Sequence, residues 1–472
     1  LELGCDEGAH LLPLAFRAPG VEAVGVETRA AALEVARAGR DRLGLDDVEL
    51  IGAPLESLDP AALGTFDYVI LHGLISWVSP EVRAAALALT RRVLRPRGVA
   101  FVSTNAAPGW AIRTPLRDAL RRRAAGVDDP AEALRRAREL LALLAASPAR
   151  EMAYGALLAE EAARLIDKPD GYLWHEYLGP HAQPFAASAL RAMAAEHGLA
   201  VVGELGRASA DRRGEEALVD GLTEQLGDAL EAEDLADLML FRAFRMGVWV
   251  RDDAPRDRQP APPLHVAGEI RALERRPSLD PGIGEAFETA DGLQIVSGDP
   301  TLKAALLEVG KAWPRTVELG VLAARARARL ELRRVRPPDD AAEARVRLSA
   351  DVVELARLGH LFLREAPVEP AAASERPRVA ALTRWEAERG GEVSDPYHRP
   401  VPLDALTRRL VERMDGYREL AEHVARARAL VQSGEVALEG EDGALAEGER
   451  DALVPDLVRA AVERLAARGL LV

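Results

Sequence analysis

Over the first hundred residues, short apolar runs alternate with amphipathic stretches. Leu1-Glu2-Leu3 reads as the end of a strand and leads into a glycine-bearing turn. His10 to Arg17 has helical spacing, and Val21 to Glu27 reads as a second strand. Arg29 to Leu43 reads as a helix, with Gly44 placed as a stop just past its end. Val48 to Ile51 and Phe66 to Leu71 are the third and fourth strands. The fourth is expected to be apolar on both faces, like a buried parallel strand. Pro80 to Leu94 reads as a helix and Val99 to Thr104 as a fifth strand. Strands alternating with helices of this length predict βαβ units. The expected fold is α/β: a doubly wound, Rossmann-like parallel sheet.

The pattern changes after the fifth strand. Pro108 to Leu144 is helical and dense in Arg, and residues 151–249 stay mostly helical, with a strand expected at Leu199 to Leu205. Arg251 to Pro263 is rich in Asp, Arg and Pro and reads as a linker. Beyond it, helices are expected at Thr301 to Ala312 and Thr316 to Leu332, and a loop at Glu365 to Pro377. From Pro402 on there are three helical segments and a short hairpin, Val436-Ala437-Leu438 to Ala444-Leu445. The expected units are therefore a sheet domain at 1–110, a mostly helical region at 111–250, a linker at 251–263 and a helical C-terminal region at 264–472. No repeat of 20 to 50 residues is present in the sequence.

Composition narrows the class. The 472 residues are 48% hydrophobic and 29% charged, an ordinary globular balance with material for several domains. No apolar run approaches a membrane span; Leu140 to Ala146 is among the longest. The net charge is -15, which disfavours a large nucleic-acid footprint. Residues 401–472 hold ten Arg, no Lys and fourteen acids, so contact with phosphates is not expected there either. The single cysteine, Cys5, excludes an internal disulfide and a Cys-rich zinc site, and suits a reducing cytoplasm. The chain opens at Leu1 inside a strand, without Met or a signal peptide, so a preceding segment is expected.

Two features carry chemistry. Leu1 to Gly8 places glycines at a strand-to-helix turn, where backbone can approach a ligand and a helix offers free N–H groups. Glu27 ends the next strand, where an acid can accept both hydroxyls of a ribose. Together they suggest a nucleotide-type site, although a purely structural turn with a solvated Glu27 fits the same residues. The turn lacks G-x-G-x-x-G spacing, which weakens a nicotinamide reading.

The turn, with Glu27, resembles class I S-adenosylmethionine-dependent methyltransferases. Further segments are similar to a subfamily carrying a methyltransferase regulatory domain, which includes bacterial protein lysine methyltransferases that act on outer-membrane proteins. These segments are Phe66 to Gly73 with Ser76-Trp77-Val78, Asn105 to Trp110, Tyr172 to Leu178, Phe185, His197-Gly198-Leu199 and Phe241 to Arg245. The likeness covers residues 1–250 well and thins to a similar layout beyond, helical and partly winged-helix-like. It implies S-adenosylmethionine as cofactor, bound by Glu2, Gly4, Cys5, Gly8, Glu27 and His72. It implies catalytic roles for His72 and Asn105, and Trp77 and Trp110 as the mouth for the acceptor. Both tryptophans suit core filling equally. The implied acceptor is a lysine-bearing protein or a small-molecule amine or hydroxyl.

Three departures from the family stand out. Asp6 replaces a usual glycine and is expected to crowd the cofactor and oppose its carboxylate. Gly52-Ala53-Pro54 lacks an acid for the adenine amine, and Ala106-Ala107 replaces a Thr-Tyr pair. They support a second reading, a catalytically degenerate methyltransferase fold used as a binding or regulatory module. In the first reading, a His72 titrating near neutral pH assists loss of the amine proton; the same residue reads equally as a strand-end histidine making a backbone hydrogen bond. Arg113 to Arg123 reads as a solvated helix face. His175-Glu176 lacks the second histidine of a metal-binding helix, because Gly179 stands there. No metal site is expected.

Overall fold

The computed structural model describes residues 1–205, 212–255, 263–337, 340–390, 392–440, 443–444 and 447–472. Seven strands form the central sheet: β1 (Glu2–Leu3), β2 (Ala23–Val26), β3 (Val48–Ile51), β4 (Phe66–Leu71), β5 (Leu94–Asn105), β6 (Leu199–Glu204) and β7 (Phe244–Arg251). Their order is β3-β2-β1-β4-β5-β7-β6. β1 to β5 pair in parallel, and β7 pairs antiparallel with both β5 and β6. The expected wholly parallel sheet is therefore mixed. Strand β7 slots between β5 and β6 and reverses direction, so the expected strand near Leu199 joins the same sheet. In β7, Arg245, Gly247 and Trp249 are buried and alternate with less buried neighbours. A buried Arg and a Gly hid this period-2 pattern in the sequence.

Helices α1 (Leu11–Arg17) and α2 (Ala30–Leu43) follow β1 and β2. Helix α2 ends as its sequence requires, with Gly44 left-handed at φ 66 and donating back to Arg40 and Asp41. The helix Pro80–Val93 starts on a Ser79 cap and packs on the sheet with Leu87, Val93, Val69 and Leu71 in one core. Strand β4 is less buried than expected. Asp67 and Tyr68 are exposed, and Asp67 pairs with Arg95 at 2.5 Å, so only the second half of the strand enters the core.

Helices Arg113–Ala124, Pro130–Ala145 and Ala153–Ile166 form a separate core with Trp110 and Tyr177. The region from 263 holds more strand than expected. β8 (His265–Ala267) pairs antiparallel with β12 (Val317–Glu318) and β13 (Phe362–Arg364). β10 (Glu285–Thr289) pairs antiparallel with β9 (Ile270–Ala272) and β11 (Gln294–Ser297). Strands of two to five residues carry too little alternation to register beside long Ala- and Leu-rich helices. Residues 256–262 of the expected linker lie outside the described residues.

The C-terminal part comprises helix Ala381–Arg389, the pair β14 (Glu392–Ser394) and β15 (Pro400–Pro402), and helices Ala405–Val411, Leu420–Gln432 and Glu447–Ala467. Between the last two helices, β16 (Glu439–Gly440) pairs with β17 (Gly443–Ala444), shifted from the expected hairpin, whose Leu445 lies outside the described residues. This part docks on the first domain. Leu382 and Trp385 share a core with Cys5, Leu11, Leu12, Leu33 and Ala36. Gly39 lets Trp385 lie against α2, since a Cβ there would sit 2.8 Å from the indole. Arg42 pairs with Glu388, Arg389 with Glu7, and Arg17 donates to the Ser394 hydroxyl at 2.9 Å.

Candidate active site

The turn after β1 closes tightly on β2. The N–H groups of Gly4 and Cys5 both donate to the Val26 carbonyl, at 2.8 and 3.0 Å. Gly4 and Gly8 have φ of 75 and 78, where glycine is preferred. Asp6 also lies in the left-handed region, at φ 50, which Asp tolerates better than most residues. Its carboxylate meets Arg29 at 2.5 Å, so the negative charge expected to repel a cofactor carboxylate already has a cation beside it.

Glu27 is 7% exposed at the end of β2. One of its oxygens accepts the Asp6 N–H at 3.0 Å, and the other accepts those of Thr28 and Arg29, each at 2.9 Å. The acid therefore braces the turn that it faces. Glu2 is 2% exposed; Oε1 contacts His10 Nδ1 at 3.3 Å, and Oε2 is buried with no hydrogen-bond partner. That bond to Glu2 pushes the His10 pKa up. A buried carboxylate oxygen without a donor suits an incoming ammonium group, such as the amino-acid end of S-adenosylmethionine. Cys5, expected among the cofactor residues, turns its thiol into the hydrophobic core. It is 3% exposed, and burial, Glu2 and Glu27 push its pKa up to about 12. Only its backbone belongs to the turn.

The ends of β4 and β5 bring the other expected residues together. His72 Nδ1 lies 2.9 Å from Ser103 Oγ, which also accepts the Gly73 N–H at 2.8 Å. The His10 ring meets His72 edge-on, with centroids 4.5 Å apart. Burial, and then His10, depress the His72 pKa to about 4. This corrects the expectation of titration near neutrality: His72 is uncharged at pH 7 and too weak a base to take a proton from an ammonium group. Asn105 is 3% exposed; its N–H donates to Ser76 Oγ at 3.0 Å and its Nδ2 donates to Glu176 Oε2 at 2.7 Å. Trp77 stacks on His175 with centroids 5.2 Å apart. Trp110 packs beside Tyr177 at 5.5 Å, under the Arg113 guanidinium. The Ala106-Ala107 step is held by its backbone. Ala106 donates to Ala243 and Ala107 to Phe185, and a Cβ on Gly109 would come within 2.5 Å of Ala243.

His72, Gly73, Trp77, Asn105 and Trp110 all line one cavity of about 1210 Å³. Its other walls come from β6, β7, the helices at 212–239, and Arg113, Arg164, Tyr172, Glu176 and Arg191. Sequence reasoning set Glu176 aside with the metal reading, and it did not single out His10 or Arg29. The one available signal was Glu176 beside a histidine in a segment carrying the family resemblance. Among the described residues, no group of three or more His, Cys, Asp or Glu is placed to hold a metal.

A sheet ordered 3-2-1-4-5-7-6 with a reversed seventh strand, a glycine turn after the first and an acid ending the second make a Rossmann-like, nucleotide-type domain. Comparison with known proteins agrees. Residues 1–98 match the family described as a methyltransferase domain, 169–251 a predicted methyltransferase regulatory domain, and 375–470 the C-terminal winged helix domain of PKMT. The chain is 31% identical over 180 residues to the uncharacterized protein RP028 of Rickettsia prowazekii, covering 38% of this chain and 72% of that one. It is 27% identical over 254 residues to RP789 of the same organism, covering 54% of this chain and 46% of that one. The solved structure of PKMT2 from Rickettsia typhi superposes with a TM-score of 0.76 at 21% identity, covering 100% of this chain and 93% of that one. A structure of the same protein in complex with AdoHcy gives a TM-score of 0.76 at 20% identity, with the same coverage. The chain belongs to the S-adenosylmethionine-dependent methyltransferases that carry a regulatory domain and a PKMT-type winged helix. Among the described residues, no helix is long and apolar enough to cross a membrane.

Proposed function

We propose that this protein methylates lysine side-chain amines of a polypeptide, using S-adenosylmethionine. The observation that carries this reading is the cavity of about 1210 Å³ that opens from His72 and Gly73 at the end of β4. It exceeds the 300–1,000 Å³ or so typical of small-molecule pockets. Its walls combine Trp77, Trp110 and Tyr172, suited to methylene groups, with carboxylates such as Glu176, Asp220 and Glu233, suited to a cation. The winged-helix likeness to PKMT and the family resemblance support a protein acceptor over a free small amine.

When bound, S-adenosylmethionine would supply an electrophilic methyl carbon; the lysine reacts as the free amine once its ammonium proton has passed to solvent water, its lone pair forms the new C–N bond, and the C–S bonding pair stays on sulfur. This chain's residues hold and orient. Glu27 would receive the ribose hydroxyls, Glu2 Oε2 the amino group, and the turn at Gly4 to Gly8 the methionine end. Neutral His72, fixed by Ser103, closes the end of β4 without adding charge beside a sulfonium. Asn105 positions Glu176. The helices at 212–239 and the short helix Ala107–Ala111 restrict water at the meeting point.

The test is calorimetric titration of S-adenosylmethionine and S-adenosylhomocysteine, followed by incubation with lysine-bearing polypeptides, including unfolded outer-membrane proteins. Micromolar binding and a 14 Da gain on lysine in peptide mass spectra (one methylene, about 14 Da per transfer) support the reading. Absence of binding up to millimolar cofactor overturns it in favour of a binding module.

A further inference from the structure

The segment Trp174–Leu178 forms a single π-helical turn, closed where the Gly179 N–H donates to the Trp174 carbonyl at 2.6 Å. Such widened turns are rare and are frequent at functional sites. Here two consecutive side chains face two different sites. His175 stacks on Trp77 and lies within electrostatic reach of Arg29, Asp6 and Glu27, which belong to the cofactor side. Glu176 is 5% exposed and lines the cavity on the acceptor side, together with His72, Trp77 and Asn105.

The setting of Glu176 is unusual for a buried carboxylate. Asn105 Nδ2 engages one oxygen, at 2.7 Å. Trp77 is the other side chain that approaches it with a donor. Arg113 and Arg117 are close enough to be felt, but both are committed elsewhere: Arg113 to Glu161 at 2.9 Å and Arg117 to the Gly179 carbonyl at 2.9 Å. Among the described residues, no cation lies within ion-pair distance of Glu176. Burial accordingly pushes its pKa up. A buried carboxylate that is polar-bonded but unpaired with charge is costly to keep unless a cation arrives from outside.

We infer that Glu176 is the anchor for the acceptor cation, receiving the N–H groups of the lysine ammonium where the cavity meets the end of β4. The inference rests on the methyltransferase reading above and names the residue that selects an amine. Asn105 fixes the carboxylate through its 2.7 Å hydrogen bond, and Trp77, Trp110 and Tyr172 flank the methylene chain. The π turn ties the anchor to the cofactor side through the neighbouring His175. His72, uncharged, adds no further cation beside Glu176.

The probe is n-butylammonium, the charged end of a lysine side chain, titrated into the full chain by ligand-observed NMR with and without saturating S-adenosylhomocysteine. The comparison ligand is 1-butanol, similar in length and uncharged. Glu176→Gln keeps the size and an oxygen for Asn105. The wild type is expected to bind the cation at least tenfold more tightly than the alcohol. Glu176→Gln is expected to lose that preference while its affinity for S-adenosylhomocysteine stays within twofold. Equal binding of cation and alcohol by the wild type overturns the inference, whether or not the variant folds. So does a folded Glu176→Gln that retains the preference. Failure of the wild type to bind S-adenosylhomocysteine would instead overturn the methyltransferase reading, a separate readout.

Discussion

Asp6 and Arg29 form an ion pair at 2.5 Å across the turn that follows the first strand, at the one turn position where a non-glycine residue takes a left-handed conformation. The pair explains how an acid is tolerated where glycine is usual. Removing Arg29 alone leaves an unpaired carboxylate in the turn. Arg29→Ala is therefore expected to weaken S-adenosylhomocysteine binding threefold or more, and Asp6→Gly in the same chain to restore it. Asp6→Gly by itself should change stability by less than about 1 kcal/mol, because a relieved left-handed residue offsets a lost exposed pair. Calorimetry on the three variants checks the cycle; additive effects would separate the two residues.

Glu27 accepts three backbone N–H groups, and an amide in its place turns a donor toward a donor. Glu27→Gln should lower stability by about 2 kcal/mol and cofactor affinity tenfold or more. Glu27→Ala should do at least as much. Thermal melts and calorimetry read the two effects separately, and unaltered affinity in a folded variant would remove Glu27 from the cofactor site.

Stability should fall on acidification through the histidines. His72 stays neutral in the fold down to about pH 4, against an ordinary value of 6.5. Between those values the unfolded chain holds a proton that the fold excludes. The contribution is thus complete above pH 6.5 and lost as pH drops toward 4, about 3 kcal/mol at most. His398, also lowered to about 4 by burial, acts in the same direction. His10 acts oppositely: Glu2 raises its pKa, so its contribution is present at low pH and lost as pH rises through the folded value. The melting temperature should decline from pH 6.5 to 4.5, and His72→Asn should show a shallower decline. Parallel slopes would contradict the assignment.

Cys5 should resist alkylation. Its thiol is buried and pushed up to about 12, so iodoacetamide at pH 8 should leave the native chain unlabelled and label it fully in guanidinium. As the single cysteine, it makes the labelling rate a report on opening of the turn after β1. Rapid labelling of the folded chain would mean that the turn opens readily.

The sequence disclosed the catalytic fold through strong local signals. Glu2, Gly4, Gly8 and Glu27 sit at strand ends that βαβ periodicity locates. His72, Gly73, Trp77, Asn105 and Trp110, distributed over two strand ends and their loops, converge on one cavity. What the sequence hid was non-local. The importance of Glu176 depends on which arginines turn away from it, and no spacing encodes that. The pKa of His72 depends on burial and on His10, brought to it by the fold. Strand β7 carries a buried Arg245 whose charge is met by Asp237, Glu204 and Glu233, so its alternation reads as polar until those partners are in place. The strands between 263 and 364 are too short to mark themselves.

The docking of Trp385 and Leu382 onto α1 and α2 bears on how the chain is made. The hydrophobic face that carries Cys5, Leu11 and Leu33 is covered by residues that leave the ribosome long after the first domain has emerged. Glu388 pairs with Arg42 at a sequence separation of 346, and Ser394 meets Arg17 at one of 377. Strands β6 and β7, needed to finish the sheet, also come late. A nascent chain therefore carries its glycine turn on a domain whose α1–α2 face stays uncovered until helix Ala381–Arg389 has been made. The apolar face beneath the glycine turn is closed only when helix Ala381–Arg389 packs over α1 and α2.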